Sequence, residues 1–226
     1  MDKNKKVLDI ILQQGILPLY FHPDADVSAH VLRAMYRAGI RAVEYTNRGE
    51  EALENFLHLK KVAKTELPGL LLGVGTIKNK IEATEFINEG ADFIICPGVV
   101  AEVAAIAHKN NLLWIPGCMT TTEVITAEDL DATLIKLFPG SLLGPLYVVA
   151  LKEIFPDLLF MPTGGVEGNK ESISKWFRAG VSVVGLGSNL VSKDLMAAKD
   201  YVSIQSLTTD VLQVVQNVRM SIREAV

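Results

Sequence analysis

The sequence is poor in cysteine, in basic clusters and in long apolar runs, and each shortage excludes a class of protein. Its 226 residues include only Cys96 and Cys118 as cysteines. They form no CxxC pair, so neither a disulfide framework nor a zinc site is predicted. No stretch has the roughly 18 consecutive apolar residues of a membrane helix. The net charge of −4, without a basic run, argues against nucleic acid as a partner.

Hydrophobic residues, by contrast, are plentiful. They make up 49% of the chain, enough to bury a sizeable core. No linker rich in Pro, Gly or Ser divides the sequence, so we predict a single domain over residues 1–226. The first residues, MDKNKKVLDIILQQG, carry charges and amphipathic spacing in place of the apolar centre of a signal peptide. We therefore expect a cytoplasmic protein whose partner is a small molecule or another copy of itself.

Short apolar runs alternate along the chain with longer segments of helical periodicity. The runs predict eight strands, at residues 16–21, 40–46, 70–75, 91–96, 112–116, 132–138, 158–162 and 181–187. The intervening segments, such as NKESISKWFRAG, repeat apolar residues every three or four positions and often close on glycine, as helices do. Two further helices, at residues 3–14 and 195–223, are expected to cap the ends of the fold.

Eight strand-helix units in this length predict an α/β protein with the (β/α)₈ architecture of a TIM barrel. The near-continuous apolar runs fit parallel strands that helices cover. A doubly wound open sheet is the alternative. We favour the barrel because no G-x-G-x-x-G follows the first strand and because polar residues stand at the carboxyl ends of many strands.

Two charged residues are predicted to face each other inside this barrel. Side chains alternate along a strand, so Glu44 shares a face with Ala42, and Lys136 shares a face with Leu134. If both faces point inward, the carboxylate and the amine approach each other. Loss of hydration favours the neutral amine, the form that attacks a carbonyl to make a Schiff base. The alternative is a buried ion pair without a catalytic role.

Glycine turns follow the last two predicted strands, in PTGGV and GLGSN. Barrels often hold phosphate there with backbone N–H groups, and glycine lets the backbone approach an anion closely. An ordinary turn is the alternative interpretation. Arg48, just beyond the second strand, has the planar fork that suits a carboxylate, although a solvated loop arginine would look the same.

Seven motifs, spread in order over the second to the eighth strand, carry a family resemblance. They are VEYTNRG, GVGTI, ICPG, IPG, IKLFPG, PTGGV and VGLGS. Together they resemble the 2-keto-3-deoxy-6-phosphogluconate and 4-hydroxy-2-oxoglutarate aldolases, which are class I pyruvate aldolases. The resemblance covers nearly the whole chain. It implies a (β/α)₈ barrel that assembles as a homotrimer and uses no metal or organic cofactor.

The resemblance also implies roles for particular residues. Lys136 matches the Schiff-base lysine and Glu44 the general acid/base. Arg48 and Thr76 match the groups that hold the pyruvate carboxylate, and Pro97 matches a residue beside the reacting carbons. The residues that match the binding site for the far end of the substrate, a phosphate in the phosphogluconate enzymes, are Thr163, Gly164, Gly165, Gly187 and Ser188.

The sequence departs from the family pattern near that far end. Phe21 in PLYFH stands where many members carry an arginine, PGSLLGP forms the loop that in other members reads PAEANGG, and CPG replaces SPG. His22 either contacts the far substrate group or is a surface residue at a helix start. The aldehyde product thus stays open among glyceraldehyde 3-phosphate, glyoxylate and an unphosphorylated sugar aldehyde.

The sequence therefore predicts reversible retro-aldol cleavage of a 2-keto-4-hydroxy acid to pyruvate and an aldehyde. Two other functions remain as alternatives. One is a metal-dependent aldolase or a phosphosugar isomerase on the same barrel, which would need a cluster of His, Asp or Glu at the strand ends. The other is a non-catalytic relative that binds a keto acid as a sensor.

Overall fold

Strands and helices alternate as the sequence predicts. The structure is a computed structural model that describes residues 3–224. The strands are β1 Ile16–Tyr20, β2 Ala42–Thr46, β3 Leu71–Gly75, β4 Phe93–Ile95, β5 Leu113–Ile115, β6 Gly117–Cys118, β7 Leu134–Leu137, β8 Leu159–Pro162 and β9 Val184–Leu186. The helices are α1 Lys3–Gln14, α2 Ala25–Arg37, α3 Ala52–Glu66, α4 Lys80–Asn88, α5 Ala101–Lys109, α6 Thr121–Asp129, α7 Gly140–Ile154, α8 Lys170–Arg178, α9 Lys193–Ala197 and α10 Tyr201–Arg223.

All paired strands are parallel and form two sheets. The larger sheet has the order β5-β4-β3-β2-β1-β9, and the smaller has the order β6-β7-β8. A single parallel bridge between Thr163 and Gly185 connects the end of β8 to β9. On the other side, the backbone N–H of Lys136 donates to the carbonyl of Pro116, between β5 and β6, at 2.8 Å. The chain is therefore an α/β protein built on parallel strands.

The fifth predicted strand continues further than expected. The prediction ended it at Pro116, whereas the chain resumes pairing as β6. Proline has no N–H to donate, so it interrupts the ladder and divides one run into two short strands. A side chain at Gly117 would overlap with the carbonyl of Pro97, so only glycine fits this close approach.

One apolar cluster joins residues of both sheets. It gathers inward side chains from six of the strands together with two residues of α1 and one just before β9: Val7, Ile11, Leu17, Ala42, Phe93, Ile95, Leu113, Ile115, Leu134, Met161 and Val183. Alternate strand residues, such as Val43 and Ile135, belong instead to the larger cluster between strands and helices. The inward faces of β2 and β7 are therefore those that the strand alternation assigned to Glu44 and Lys136.

Two segments differ from the prediction for local reasons. The loop predicted at PGSLLGP begins helix α7, which Gly144 interrupts with φ 71° and ψ 168° before Pro145 starts a regular helix. Proline suits the first turn of a helix because that N–H has no intrahelical acceptor. The single helix predicted at 195–223 is divided into α9 and α10, because Asp200 caps α10 by accepting from the N–H of Ser203. None of the helices in residues 3–224 is long and apolar enough to cross a bilayer.

Candidate active site

Glu44 and Lys136 meet in the interior, although they belong to different sheets and lie far apart in sequence. The Lys136 Nζ atom lies 3.4 Å from Oε1 of Glu44. The Glu44 side chain is fully buried, and that of Lys136 is 6% exposed. Ala42 and Leu134, which share faces with these two residues, lie in the interior cluster, so the faces do point inward and the predicted proximity is confirmed.

Within the described chain, one carboxylate oxygen of this ion pair accepts no hydrogen bond. Oε2 of Glu44 is buried and has no hydrogen-bond partner among residues 3–224. Within residues 3–224, the amine of Lys136 has Oε1 as its one hydrogen-bond acceptor, and it also lies 5.6 Å from the ring centroid of Phe138. Burying two charges costs several kcal/mol per ion unless other hydrogen bonds compensate. Because of this desolvation cost, the pair contributes little to the stability of the fold. The unpaired oxygen of Glu44, Oε2, is available for proton transfer.

The end of β3 borders the carboxylate of Glu44. A side chain at Gly75 would overlap with that carboxylate, so glycine makes room for it. The next residue, Thr76, is half-buried and has φ 64°, in the left-handed region that β-branched residues rarely adopt. Such a conformation costs on the order of 1–3 kcal/mol and is concentrated at functional sites.

A separate cavity of about 150 Å³ lies beside this pair. It groups six residues that the sequence analysis singled out: Arg48, Thr163, Gly164, Gly165, Gly187 and Ser188. Phe138 also lines the cavity and thereby connects it to Lys136. Lys136, Glu44, Thr76 and Pro97 do not line it. Larger surface cavities, up to about 780 Å³, lie near α1 and α10 and contain none of the predicted site residues.

Two glycine turns contribute residues with unpaired backbone donors to the lining of this cavity. Gly164 and Gly165 have φ of 85° and 75°, conformations that glycine adopts without strain. Their N–H groups, and those of Gly187 and Ser188, donate to no acceptor within residues 3–224. The hydroxyl of Thr163 is buried without a partner and faces Gly185, where any side chain would overlap with it.

Arg48 is exposed, and its guanidinium group has no carboxylate or carbonyl partner in the described part of the chain. It is therefore free to bind an anion. Pro97 is half-buried, and its carbonyl packs against Gly117 at the junction of β5 and β6. Arg48 thus follows β2, the strand of Glu44, whereas Pro97 follows β4 of the same sheet.

The residues that depart from the family pattern lie outside the cavity wall. The ring of Phe21 packs 5.7 Å from that of Tyr45 and covers Gly49. His22 accepts a hydrogen bond from the N–H of Asp24 through its ring, and its carbonyl accepts one from the hydroxyl of Tyr45. These contacts hold the turn between β1 and α2.

Phe138 and Asn189 also line the cavity, although neither was among the predicted site residues. Alternation along the sixth predicted strand placed Phe138 two positions after Lys136, and that spacing was the available signal. Nothing in the sequence marked Asn189, because its contact depends on how two turns approach each other.

Both cysteines are buried, and burial raises the pKa of each thiol to about 12. For Cys96, the indole N–H of Trp114 and the charge of Lys136 oppose that rise in pKa without cancelling it. Within residues 3–224, no group of three or more His, Cys, Asp or Glu side chains is arranged to hold a metal ion.

The model of one protein family, described as KDPG and KHG aldolase, matches residues 7–207. The chain belongs to this family. The predicted resemblance is therefore confirmed, and the match covers β1 through β9 and most of the helices.

Individual relatives agree with the family model. A 2-dehydro-3-deoxy-phosphogluconate aldolase of Pseudoalteromonas atlantica is 33% identical over 171 residues, which cover 74% of this chain and 77% of that protein. The KHG/KDPG aldolase of Escherichia coli is 28% identical over 214 residues, covering 92% and 96%. A solved 4-hydroxy-2-oxoglutarate/2-dehydro-3-deoxyphosphogluconate aldolase superposes with a TM-score of 0.79 at 29% identity, covering 92% of this chain and 98% of that one.

Proposed function

We propose that the protein is a Schiff-base aldolase, a lyase that reversibly cleaves a 2-keto-4-hydroxy acid to pyruvate and an aldehyde. The observation that carries the proposal is the buried contact of 3.4 Å between Lys136 Nζ and Glu44 Oε1. Membership of the KDPG and KHG aldolase family supports it. The substrates proposed are a 2-keto-3-deoxy-6-phospho sugar acid and 4-hydroxy-2-oxoglutarate, which would give glyceraldehyde 3-phosphate and glyoxylate.

The first steps attach the substrate to Lys136. Glu44 takes a proton from the ammonium group, and the neutral amine then attacks the C2 carbonyl carbon of the keto acid. The carbinolamine oxygen receives a proton and leaves as water, which produces a protonated imine. The free oxygen of Glu44 and its full burial suit this proton transfer, because a general base must lie within hydrogen-bond reach of the proton that it moves.

The protonated imine then accepts the electrons of the breaking C3–C4 bond. Glu44, through a water, removes the proton of the C4 hydroxyl, so that the aldehyde leaves and an enamine stays on Lys136. Protonation of the enamine at C3 gives the imine of pyruvate, and hydrolysis frees the lysine. One carboxylate serves every step, since each proton that it accepts is returned in the next.

We assign the ends of the substrate to two groups of residues. The pyruvate end consists of Glu44, Lys136, Thr76 and Pro97, together with Arg48, which also lines the distal cavity. At the pyruvate end, Arg48 and Thr76 hold the carboxylate, and Pro97 packs beside the reacting carbons. The unpaired guanidinium of Arg48 and the strained φ of 64° at Thr76 support these roles. Holding the carbonyl in reach of the amine lowers the barrier by several kcal/mol in favourable cases, on the order of 7.

The distal end is the cavity of about 150 Å³ and its two glycine turns. We propose that it binds the anionic group of the substrate. The support is the set of four N–H groups without a protein acceptor, from Gly164, Gly165, Gly187 and Ser188, together with the unpaired hydroxyl of Thr163. Because Arg48 is the one cation among the lining residues, an unphosphorylated 2-keto-3-deoxy sugar acid is the second candidate substrate.

The finer architecture is also proposed. We infer one closed (β/α)₈ barrel in a single domain, with α1 as the N-terminal cap. Support comes from the Thr163–Gly185 bridge and from the interior cluster that includes Val7 and Ile11. We further propose a cytoplasmic homotrimer. Exposed apolar side chains of α6 and α7 support the assembly, because large apolar patches mark protein interfaces: Ile125, Leu142, Leu146 and Val149.

Borohydride reduction in the presence of pyruvate tests the proposal. We expect an irreversible adduct, located on Lys136 by peptide mass mapping, and loss of aldolase activity. The Lys136→Ala variant should form no adduct, whereas the control variant Lys175→Ala, which changes an exposed lysine of α8, should react like the wild type. Absence of an adduct on Lys136 of the wild-type protein overturns the proposed function. A panel of retro-aldol assays with phosphorylated and unphosphorylated keto acids then identifies the aldehyde.

A further inference from the structure

Asn189 connects the two glycine turns of the distal end. It follows Gly187 and Ser188 after β9, and its side-chain Nδ2 donates to the carbonyl of Val166 at 2.8 Å. Val166 is buried and ends the turn that follows β8. Within the described chain, no other side-chain hydrogen bond joins residues 163–166 to residues 187–189.

The two residues that this hydrogen bond joins directly follow the unpaired backbone donors in the sequence. Gly164 and Gly165 directly precede Val166, and Gly187 and Ser188 directly precede Asn189. The bond therefore joins the ends of two short segments, each with two cavity-lining residues whose N–H groups have no acceptor within residues 3–224. It sets the separation between the two pairs of donors.

The flexibility of glycine is the reason why the turns need a hydrogen bond that fixes them. Gly164 and Gly165 both lie in the left-handed region, and a Gly-Gly segment has many other conformations of similar energy. An anion that binds to mobile donors must also order them, which weakens its binding. A hydrogen bond that already fixes the turns removes this cost.

We propose that Asn189 is a positioning residue for the distal anion of the substrate. It acts through the backbone of Val166, holding the N–H groups of the β8 turn opposite those of the β9 turn. The anion is a phosphate or a carboxylate, because both accept several N–H bonds at once. The inference rests on the proposed function, since the distal anion belongs to the aldolase substrate.

The test compares KM for two substrates in the full-length enzyme. In Asn189→Ala, we expect KM for 2-keto-3-deoxy-6-phosphogluconate to rise about three- to tenfold, the effect of losing one hydrogen bond, with kcat within about twofold. KM for the dephosphorylated acid should change by less than about twofold, because that substrate places no anion at the distal end. For 4-hydroxy-2-oxoglutarate, a rise in KM like that of the phosphorylated acid shows that the site also holds a carboxylate.

Two further variants of Asn189 refine the test. Asn189→Gln keeps a carboxamide donor and should recover part of the loss in KM. Asn189→Asp keeps the shape but cannot donate, and it adds a negative charge beside the anion, so its KM should exceed that of Asn189→Ala. Asn110→Ala is the matched control. Its side chain also donates Nδ2 to a main-chain carbonyl, that of Ile106, at 2.8 Å, but it lies at the end of α5.

The outcomes separate this inference from the proposed function. An unchanged KM in Asn189→Ala, or an equal rise for the phosphorylated and dephosphorylated acids, overturns the role of Asn189 while pyruvate trapping on Lys136 still stands. A wild-type enzyme that does not trap pyruvate overturns the proposed function, and this inference falls with it. Asn110→Ala should behave as the wild type; if it raises the same KM, the effect of Asn189→Ala is structural and the inference is wrong.

Discussion

The pyruvate end and the distal end of the candidate site consist of different chemical groups. The central pair of the pyruvate end consists of buried side chains on β2 and β7, whereas the distal end lies mainly on turns, where four residues have backbone N–H groups without an acceptor in residues 3–224. A strand holds its side chain through main-chain pairing on both sides, so Glu44 and Lys136 are fixed by the fold itself. Turns need additional contacts, such as the bond from Asn189 to Val166.

The two ends also differ in their exposure to solvent. Glu44 is fully buried, while Gly165 and Ser188 are exposed. Charges interact more strongly where water is excluded, so proton transfer and imine stabilisation belong in the buried part. Donors at the exposed end compete with water, and each contributes modestly to binding. We therefore expect substitutions at the pyruvate end to lower kcat strongly and substitutions at the distal end to raise KM.

Glu44→Gln is expected to have the largest effect of the substitutions that test this contrast. Glutamine keeps the size of the side chain but cannot accept and return a proton. We expect kcat for retro-aldol cleavage to fall about 10²- to 10⁴-fold, the usual contribution of a general acid/base. KM for the phosphorylated keto acid should stay within about threefold, since the distal end is intact. Steady-state kinetics and circular dichroism check both claims, and a loss in kcat below about tenfold contradicts the assigned role.

The sequence predicts the contact between Glu44 and Lys136 because side chains alternate strictly along a strand. Once β2 and β7 are recognised, a period of two groups Glu44 with Ala42 and Lys136 with Leu134. If these faces point inward, the two charges approach each other, and the observed contact is 3.4 Å. The same rule placed Phe138 two residues after Lys136. Alternation does not predict that Oε2 of Glu44 lacks a hydrogen-bond partner in the described part of the chain. Whether a buried oxygen accepts a hydrogen bond depends on side chains from several strands.

The sequence located the distal end at two glycine turns, through their position after the last two predicted strands and through the family resemblance, but it did not predict their geometry. PTGGV and GLGSN indicate turns, but the free N–H groups and the buried hydroxyl of Thr163 depend on how β8 approaches β9. The helix in place of the predicted loop at PGSLLGP has a similar cause. Gly144 and Pro145 both suggest a break, yet Pro145 also starts a helix, and the sequence alone does not choose between these outcomes.

A pair of glycine substitutions, one at each end, gives the next largest effects. A side chain at Gly75 would overlap with the Glu44 carboxylate, and one at Gly185 would overlap with the Thr163 hydroxyl. Overpacking of this kind costs about 1–3 kcal/mol of folding free energy in either variant. We expect Gly75→Ala to lower kcat about 10- to 100-fold by displacing the base, and Gly185→Ala to raise KM for the phosphorylated acid about three- to tenfold.

Thermal unfolding and steady-state kinetics of both variants separate stability from function. Comparable losses in the free energy of unfolding, with kcat affected mainly in Gly75→Ala, support two ends with distinct roles. If Gly185→Ala lowers kcat as much as Gly75→Ala does, Thr163 acts in the chemistry and the division between the two ends is wrong.

Chemical modification of Cys96 is expected to have the smallest effect on aldolase activity. It tests whether the pyruvate end extends to this residue. Its thiol precedes Pro97 in sequence, but it packs in the cluster between strands and helices, where burial raises its pKa to about 12. At pH 8 only about one thiol in 10⁴ is then ionised, and the thiolate is the nucleophile. Iodoacetamide should therefore cause no measurable loss of aldolase activity at pH 8, and the thiolate fraction should rise tenfold per pH unit toward the pKa. Rapid inactivation that pyruvate prevents would instead place this thiol in contact with the substrate, and the pyruvate end would then extend through β4 to its outward face.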